Sequence, residues 1–167
     1  SLDKRKELSN IVQAMTIEDK AGQLLLVLDS KNLLTDQTMS GCVLFEDDFA
    51  NKSRNEVIEN IERYQSNAKY PMIIAVDEEG GSVVRVSKYL RDNRFRLPQD
   101  VYKSGGMDSI ISDATEKSEY LKEFGINVNL APVADVATNE DDYIYRRSFG
   151  VDADATSNYV RNVVMAM

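Results

Sequence analysis

Residues 71–86 read PMIIAVDEEGGSVVRV. An apolar run reaches Asp77, and two further acids, a Gly-Gly pair and Arg85 follow at once. A buried strand that ends in a carboxylate and a glycine turn is how parallel-sheet proteins build polar pockets, because their ligands sit at the carboxyl ends of the strands. The same residue types also describe a strand followed by an acidic surface turn. The rest of the chain bears on that choice.

Three other apolar runs resemble this one: GQLLLVL (22–28), GCVLF (41–45) and NVNLAPV (127–133). None alternates apolar with polar residues, as expected for parallel strands covered on both faces. Helical patterns separate them. Leu8, Ile11, Val12 and Met15 have helical spacing over 3–15. Thr16 and Asp19 form a variant capping box for a short helix ending near Gly22, and Ser53 with Glu56 forms a full one ahead of Val57, Ile58, Ile61 and Tyr64. Ile110, Ile111, Ala114, Leu121 and Phe124 outline another helix, with Gly125 placed as a left-handed C-terminal cap. Asp152 and Asp154 suit the start of a last helix whose apolar face carries Tyr159, Val160, Val163 and Val164. Residues 87–107 and 134–150 read as long polar loops.

Strands alternating with helices predict a parallel α/β sheet with right-handed crossovers. Four such units make the amino-terminal half of a (β/α)8 TIM-type barrel, which when complete needs about 250 residues. A smaller open sheet is the competing architecture. The chain ends Val163-Val164-Met165-Ala166-Met167, still apolar and without a capping glycine. The expectation is therefore one partial barrel domain over 1–167, truncated at its carboxyl end. No repeat, low-complexity tract or linker interrupts it.

Composition narrows the function. The chain has 167 residues, 43% hydrophobic and 29% charged, as in soluble globular domains. A net charge of −8 argues against nucleic acid and against anionic membrane surfaces as partners. No apolar run approaches the roughly 20 residues of a membrane span. The charged opening SLDKRKELS is not a signal-peptide pattern, and localisation stays open. The single cysteine, Cys42, lies in an apolar run and reads as a buried small hydrophobe. Histidine is absent, which removes Ser-His and Cys-His catalysis, histidine acid–base chemistry and ordinary zinc sites from these residues. No metal or cofactor is expected. Glu46-Asp47-Asp48 and Glu140-Asp141-Asp142 read as solvated loops without the pattern of a calcium loop, and EEGGSVV lacks the P-loop lysine.

Four residues are candidates for a site. Asp77, at the end of the third strand, can accept two hydrogen bonds from neighbouring hydroxyls, which suits a sugar diol. Arg85 follows after a turn at Gly80-Gly81, and can either hold Asp77 in place or bind an oxygen-rich ligand. Asp135 follows the fourth strand, and Arg147 can swing over the same face. A solvated rim with incidental ion pairs is the plainer alternative, and the residue types leave both open.

The stretches MTIEDKAGQLLLV (15–27), GCVLF (41–45), PMIIAVDEEGGSVVRV (71–86), LKEFGINVNLAPVADV (121–136) and RSFG (147–150) occur in an order and spacing that resemble the amino-terminal part of glycoside hydrolase family 3. The branch they resemble is that of the β-N-acetylhexosaminidases. The Asp-x-Glu-Gly-Gly-x-Val-x-Arg element is the specific part, since the glucosidase branch carries histidine and a single glycine after the Asp. The resemblance implies a slightly irregular (β/α)8 barrel and retaining hydrolysis of terminal β-linked N-acetylglucosamine-type sugars. It implies that Asp77 binds hydroxyls of the terminal sugar, that Arg85 and Arg147 line that subsite and that Asp135 lies near it. In the family the nucleophile is an aspartate from a later strand, and in this branch a histidine on a mobile loop is the acid/base. Retaining chemistry needs both groups, and neither is found here. The resemblance thus implies part of a carbohydrate-binding site without the catalytic pair. Rival readings are a non-catalytic carbohydrate-binding module and a half-barrel that self-associates through open strand edges.

Overall fold

The computed structural model describes residues 2–28 and 38–167. Four parallel strands form one sheet: β1 (Leu26–Val27), β2 (Gly41–Leu44), β3 (Ile73–Val76) and β4 (Val128–Asn129). Their spatial order is their chain order, with Leu44 paired to Val76 and Val76 to Asn129. A sheet wound without reversal is the winding of a barrel, whereas doubly wound sheets reverse at a switch point. The fold is the first half of a (β/α)8-type barrel, as the alternation of elements predicts. Of the predicted first strand, residues 22–28, only Leu26 and Val27 form β1, Gly22 ends α2, and the connection over residues 29–37 lies outside the described residues.

The helices follow the capping signals closely. α1 (Leu2–Ala14) is followed by α2 (Ile17–Gly22), where Thr16 accepts from the Asp19 N–H and Asp19 accepts from the Thr16 N–H, both at 3.1 Å. Asp19 is buried, with the Lys69 ammonium 2.6 Å away. α4 (Arg54–Asn67) starts on the Ser53–Glu56 capping box. α7 (Ala153–Ala166) starts on Asp152, which accepts from the Ala155 N–H at 2.8 Å. The helix predicted over 3–15 forms as α1, but Leu8, Ile11 and Val12 on its apolar face are exposed.

Two loop expectations are corrected. Residues 87–107 contain α5 (Ser87–Leu90) and the start of α6 (Pro98–Lys122). Pro98 occupies the first turn of α6, where a missing N–H costs nothing, so a helix starts inside the stretch read as loop. Gly105 and Gly106 then interrupt the helical geometry, with φ +67° at Gly106. Glu46-Asp47-Asp48 belongs to a short helix, α3 (Glu46–Phe49), whose Asp48 carboxylate accepts from the Phe45 N–H at 2.8 Å. Residues 134–150 remain turns and loop, as expected.

The main core lies between the sheet and the helices. Cys42, Leu44, Ile74 and Val76 project from β2 and β3 onto Phe49, Val57, Ile61, Leu121 and Phe124. Cys42 is fully buried, and burial pushes its thiol pKa up to about 12, so it stays protonated at neutral pH. A second cluster joins α6 to α7 through Val101, Ile110, Ala114, Tyr159 and Val163. Phe149 stacks on Tyr159 there at 4.7 Å, which ties the loop after β4 to the helical layer.

Candidate functional site

The carboxyl ends of β2, β3 and β4 are in register, so the segments that leave them share one end of the sheet. β3 runs directly into Asp77. Asn129 of β4 locks this departure point: its amide accepts from the Glu78 N–H at 3.0 Å and donates to the Glu78 carbonyl at 3.1 Å. The chain then makes a tight turn, in which the N–H groups of Glu79 and Gly80 donate to the Val83 carbonyl. Gly80 has φ +114°, and a Cβ there would lie 2.1 Å from the Arg96 carbonyl oxygen, so both angle and space demand glycine.

The three consecutive acids divide into three roles. Asp77 faces Arg85, with Oδ2 to Nη2 at 3.8 Å and each side chain about a quarter exposed. The guanidinium lies 5.6 Å from the Phe45 ring centroid, and its Nε is buried with no acceptor among the described residues. Glu78 turns inward and is fully buried. Its carboxylate accepts from the N–H groups of Arg85 and Val86 at 2.8 Å each, from that of Ser87 at 3.3 Å, and from the Ser87 hydroxyl. This staple returns the chain so that Arg85 comes back to Asp77. Glu79, also buried, takes a bidentate ion pair from Arg147 at 2.6 and 2.9 Å. That hydrogen bonding holds the Arg147 guanidinium pKa above its ordinary value.

Two further contacts hold the second pair. Lys117 of α6 is buried, donates to the Glu79 carbonyl at 3.0 Å and pairs with Asp113 at 3.1 Å. The Arg147 loop is pinned by Gln99, whose amide donates to the carbonyls of Tyr145 and Ser148, and by Phe149 in the helical layer. Beside Asp77 and Arg85, Glu46 hydrogen-bonds Lys88 and Tyr89, contacts that hold its carboxyl below the ordinary range, with the Arg85 charge adding to the effect.

The structure therefore brings Asp77 and Arg85 together and joins Arg147 to Glu79. Asp135 is exposed in the loop after β4, and among the described residues no hydrogen bond or ion pair links it to the other three. Glu78, Glu79 and Lys117 escaped the sequence reading. Adjacency in Asp-Glu-Glu gives no sign of which acid turns inward, and Lys117 sits on a helical face among apolar positions. A partly exposed carboxylate beside a guanidinium offers an acceptor and a fork of donors to neighbouring hydroxyls. Among the described residues no group of three or more Cys, Asp or Glu side chains is placed to hold a metal ion, and no helix is long and apolar enough to cross a membrane.

A parallel half-barrel whose strand ends carry charged pairs is the architecture of a barrel-enzyme scaffold. Residues 16–167 match the family model of the glycosyl hydrolase family 3 N terminal domain, and the chain belongs to that family. A beta-hexosaminidase of Haemophilus influenzae (strain PittEE) is 30% identical over 146 residues, covering 81% of this chain and 38% of that protein. Beta-hexosaminidase LpqI of Mycobacterium tuberculosis is 24% identical over 159 residues, covering 92% of this chain and 40% of the relative. The chain thus spans about 40% of the length of these curated relatives. A family 3 β-N-acetylglucosaminidase from Paenibacillus sp. str. FPU-7 superposes with a TM-score of 0.79 at 23% identity, over 92% of this chain and 31% of that one. The beta-glucoside phosphorylase BglX superposes at 0.82 and 17% identity, over 99% of this chain and 29% of that one. At these identities the two structures establish the shared fold.

Proposed function

We propose that residues 1–167 form a partial barrel domain that supplies part of the sugar-binding subsite of a retaining β-N-acetylhexosaminidase. The activity is proposed for a protein of the relatives' extent, in which this chain contributes the first four strands. The observation that carries the reading is the Asp77–Arg85 pair at the end of β3, partly exposed to solvent, in a chain of this family. Asp77 accepts hydrogen bonds from hydroxyls of the terminal sugar, and Arg85 orients that carboxylate and donates to the same ring. Arg147, aimed by Glu79, lines the subsite, and Asp135 approaches it from the loop after β4. The nucleophile and the acid/base come from polypeptide outside this chain, which has no histidine to serve as the latter.

The test is hydrolysis of an aryl N-acetyl-β-glucosaminide. A protein of the relatives' extent that includes this chain turns it over, and the 167-residue chain alone does not. Robust turnover by the isolated chain would contradict the assignment of the catalytic pair.

A second reading, self-association of the isolated chain, is favoured by one observation: Leu24, Leu25, Leu26 and Leu28 are exposed along and beside the edge strand β1. Sedimentation velocity should then show a concentration-dependent dimer, and a monomer at all concentrations would remove this reading.

A further inference from the structure

We propose that the cleft between residues 91–96 and α6 binds a small phosphate-bearing molecule. The cleft has a volume of about 520 Å³ and is lined by Arg91, Arg94 and Arg96, together with Ser109 and Ser112 of α6. None of Asp77, Arg85, Asp135 and Arg147 lines it, so it stands apart from the sugar-binding reading and does not depend on it.

The charges in the cleft do not cancel. Two carboxylates, Asp113 and Glu116, also line it. Both are already engaged: Glu116 by Arg91, and Asp113 by Lys117 at 3.1 Å. Arg91 is further fixed by the Asn93 carbonyl at 2.9 Å and by the Phe95 ring, 4.4 Å from its guanidinium carbon. That leaves Arg94 and Arg96. Arg94 has no hydrogen-bond or ion-pair partner among the described residues, and Arg96 makes one neutral contact, to the Ser104 hydroxyl at 3.2 Å. Two uncompensated guanidinium groups on one wall of a cleft are unexpected in a chain of net charge −8.

The donor set indicates the ligand. Guanidinium forks match planar pairs of oxygens on carboxylates and phosphates alike. Two such forks and two serine residues lining one cleft offer more donors than one carboxylate can accept, and the terminal oxygens of a phosphate can take them. The helix also restarts after Gly106, so Ser109 stands in the first turn of the segment 107–122, whose positive end favours an anion. The volume leaves room for a group attached to the phosphate, such as a hexose.

Isothermal titration calorimetry of the 167-residue chain, at constant ionic strength, tests this with inorganic phosphate and N-acetylglucosamine 6-phosphate as probes. Saturable binding of at least one probe is expected, weakened roughly tenfold or more in the Arg94→Ala/Arg96→Ala double variant. Lys103→Ala, an exposed cation outside the cleft, should leave it unchanged. Tighter binding of the sugar phosphate would support an organic ligand, and equal binding would support the free anion as ligand. No saturable binding of either probe, or an equal loss in Lys103→Ala, would overturn the proposal. Both arginines are exposed, so their truncation leaves the core intact.

Discussion

Replacing Glu78 with alanine should unfasten the segment that returns Arg85 to Asp77. Its carboxylate is fully buried and accepts from three backbone N–H groups and the Ser87 hydroxyl. Truncation strands those four donors away from water. At about 1 kcal/mol for each lost hydrogen bond, the loss is about 4 kcal/mol. Relief from burying a charge offsets part of it, leaving a net cost of about 3 kcal/mol. Against a typical total of roughly 5–15 kcal/mol that is a large fraction, and it corresponds to a melting temperature lower by about 10 °C. Glu78→Gln keeps one acceptor oxygen but turns an NH2 toward donors, and should cost about half as much. Urea unfolding followed by circular dichroism reads the midpoint at unchanged slope. Hydrogen exchange reads the Arg85, Val86 and Ser87 amides directly. If Glu78→Ala stays within about 0.5 kcal/mol of wild type, with those amides still protected, the staple does not hold the turn.

Gly80→Val forces a β-branched residue to φ +114° with its Cβ 2.1 Å from the Arg96 carbonyl oxygen, and should cost at least about 2 kcal/mol by the same urea assay. A variant as stable as wild type would mean that the turn has room to move. Acid stability should depend on Asp19. Its pKa is lowered from 3.8, chiefly by the hydrogen bond from Lys69 and then by the Thr16 N–H. A carboxyl depressed in the folded state contributes stability that is fully present well above 3.8 and disappears as pH falls through the lowered folded value. Lys69→Met should therefore reduce stability at about pH 6 and converge with wild type at about pH 2. Parallel pH profiles with a constant offset would refute the linkage.

The strands β2 and β3 were legible because central parallel strands are buried on both faces and read as unbroken apolar runs. β1 and β4 are shorter than the runs that announce them. Each is an edge of the described sheet, and of the run 22–28 only Leu26 and Val27 have pairing partners. Helix starts at Thr16, Ser53 and Asp152 were legible because a cap is a local event written in adjacent residues. The start of α6 was not, since Pro98 serves equally to break a helix or to begin one, and only tertiary burial of Val101 decides. In the candidate site, the meeting of Asp77 with Arg85 could be read from the strand end and the turn. The inward turn of Glu78 and the pairing of Glu79 with Arg147 depend on partners 7–9 and 68 residues away, which no local pattern encodes. For Asp135, position after a strand did not determine contact with the other three residues.

On the proposed reading, Asp77 serves ligand binding and its ion pair does little for the fold. At 3.8 Å and about a quarter exposed, the Asp77–Arg85 pair is worth about 1 kcal/mol or less. The direct measurement is kcat/KM for an aryl N-acetyl-β-glucosaminide, alongside the melting temperature, for Asp77→Ala in a protein of the relatives' extent. Loss of charge-assisted hydrogen bonds to sugar hydroxyls should lower kcat/KM about a hundredfold, with a melting temperature within about 4 °C of wild type. Activity retained within about twofold, or a collapse of stability in step with activity, would contradict the account.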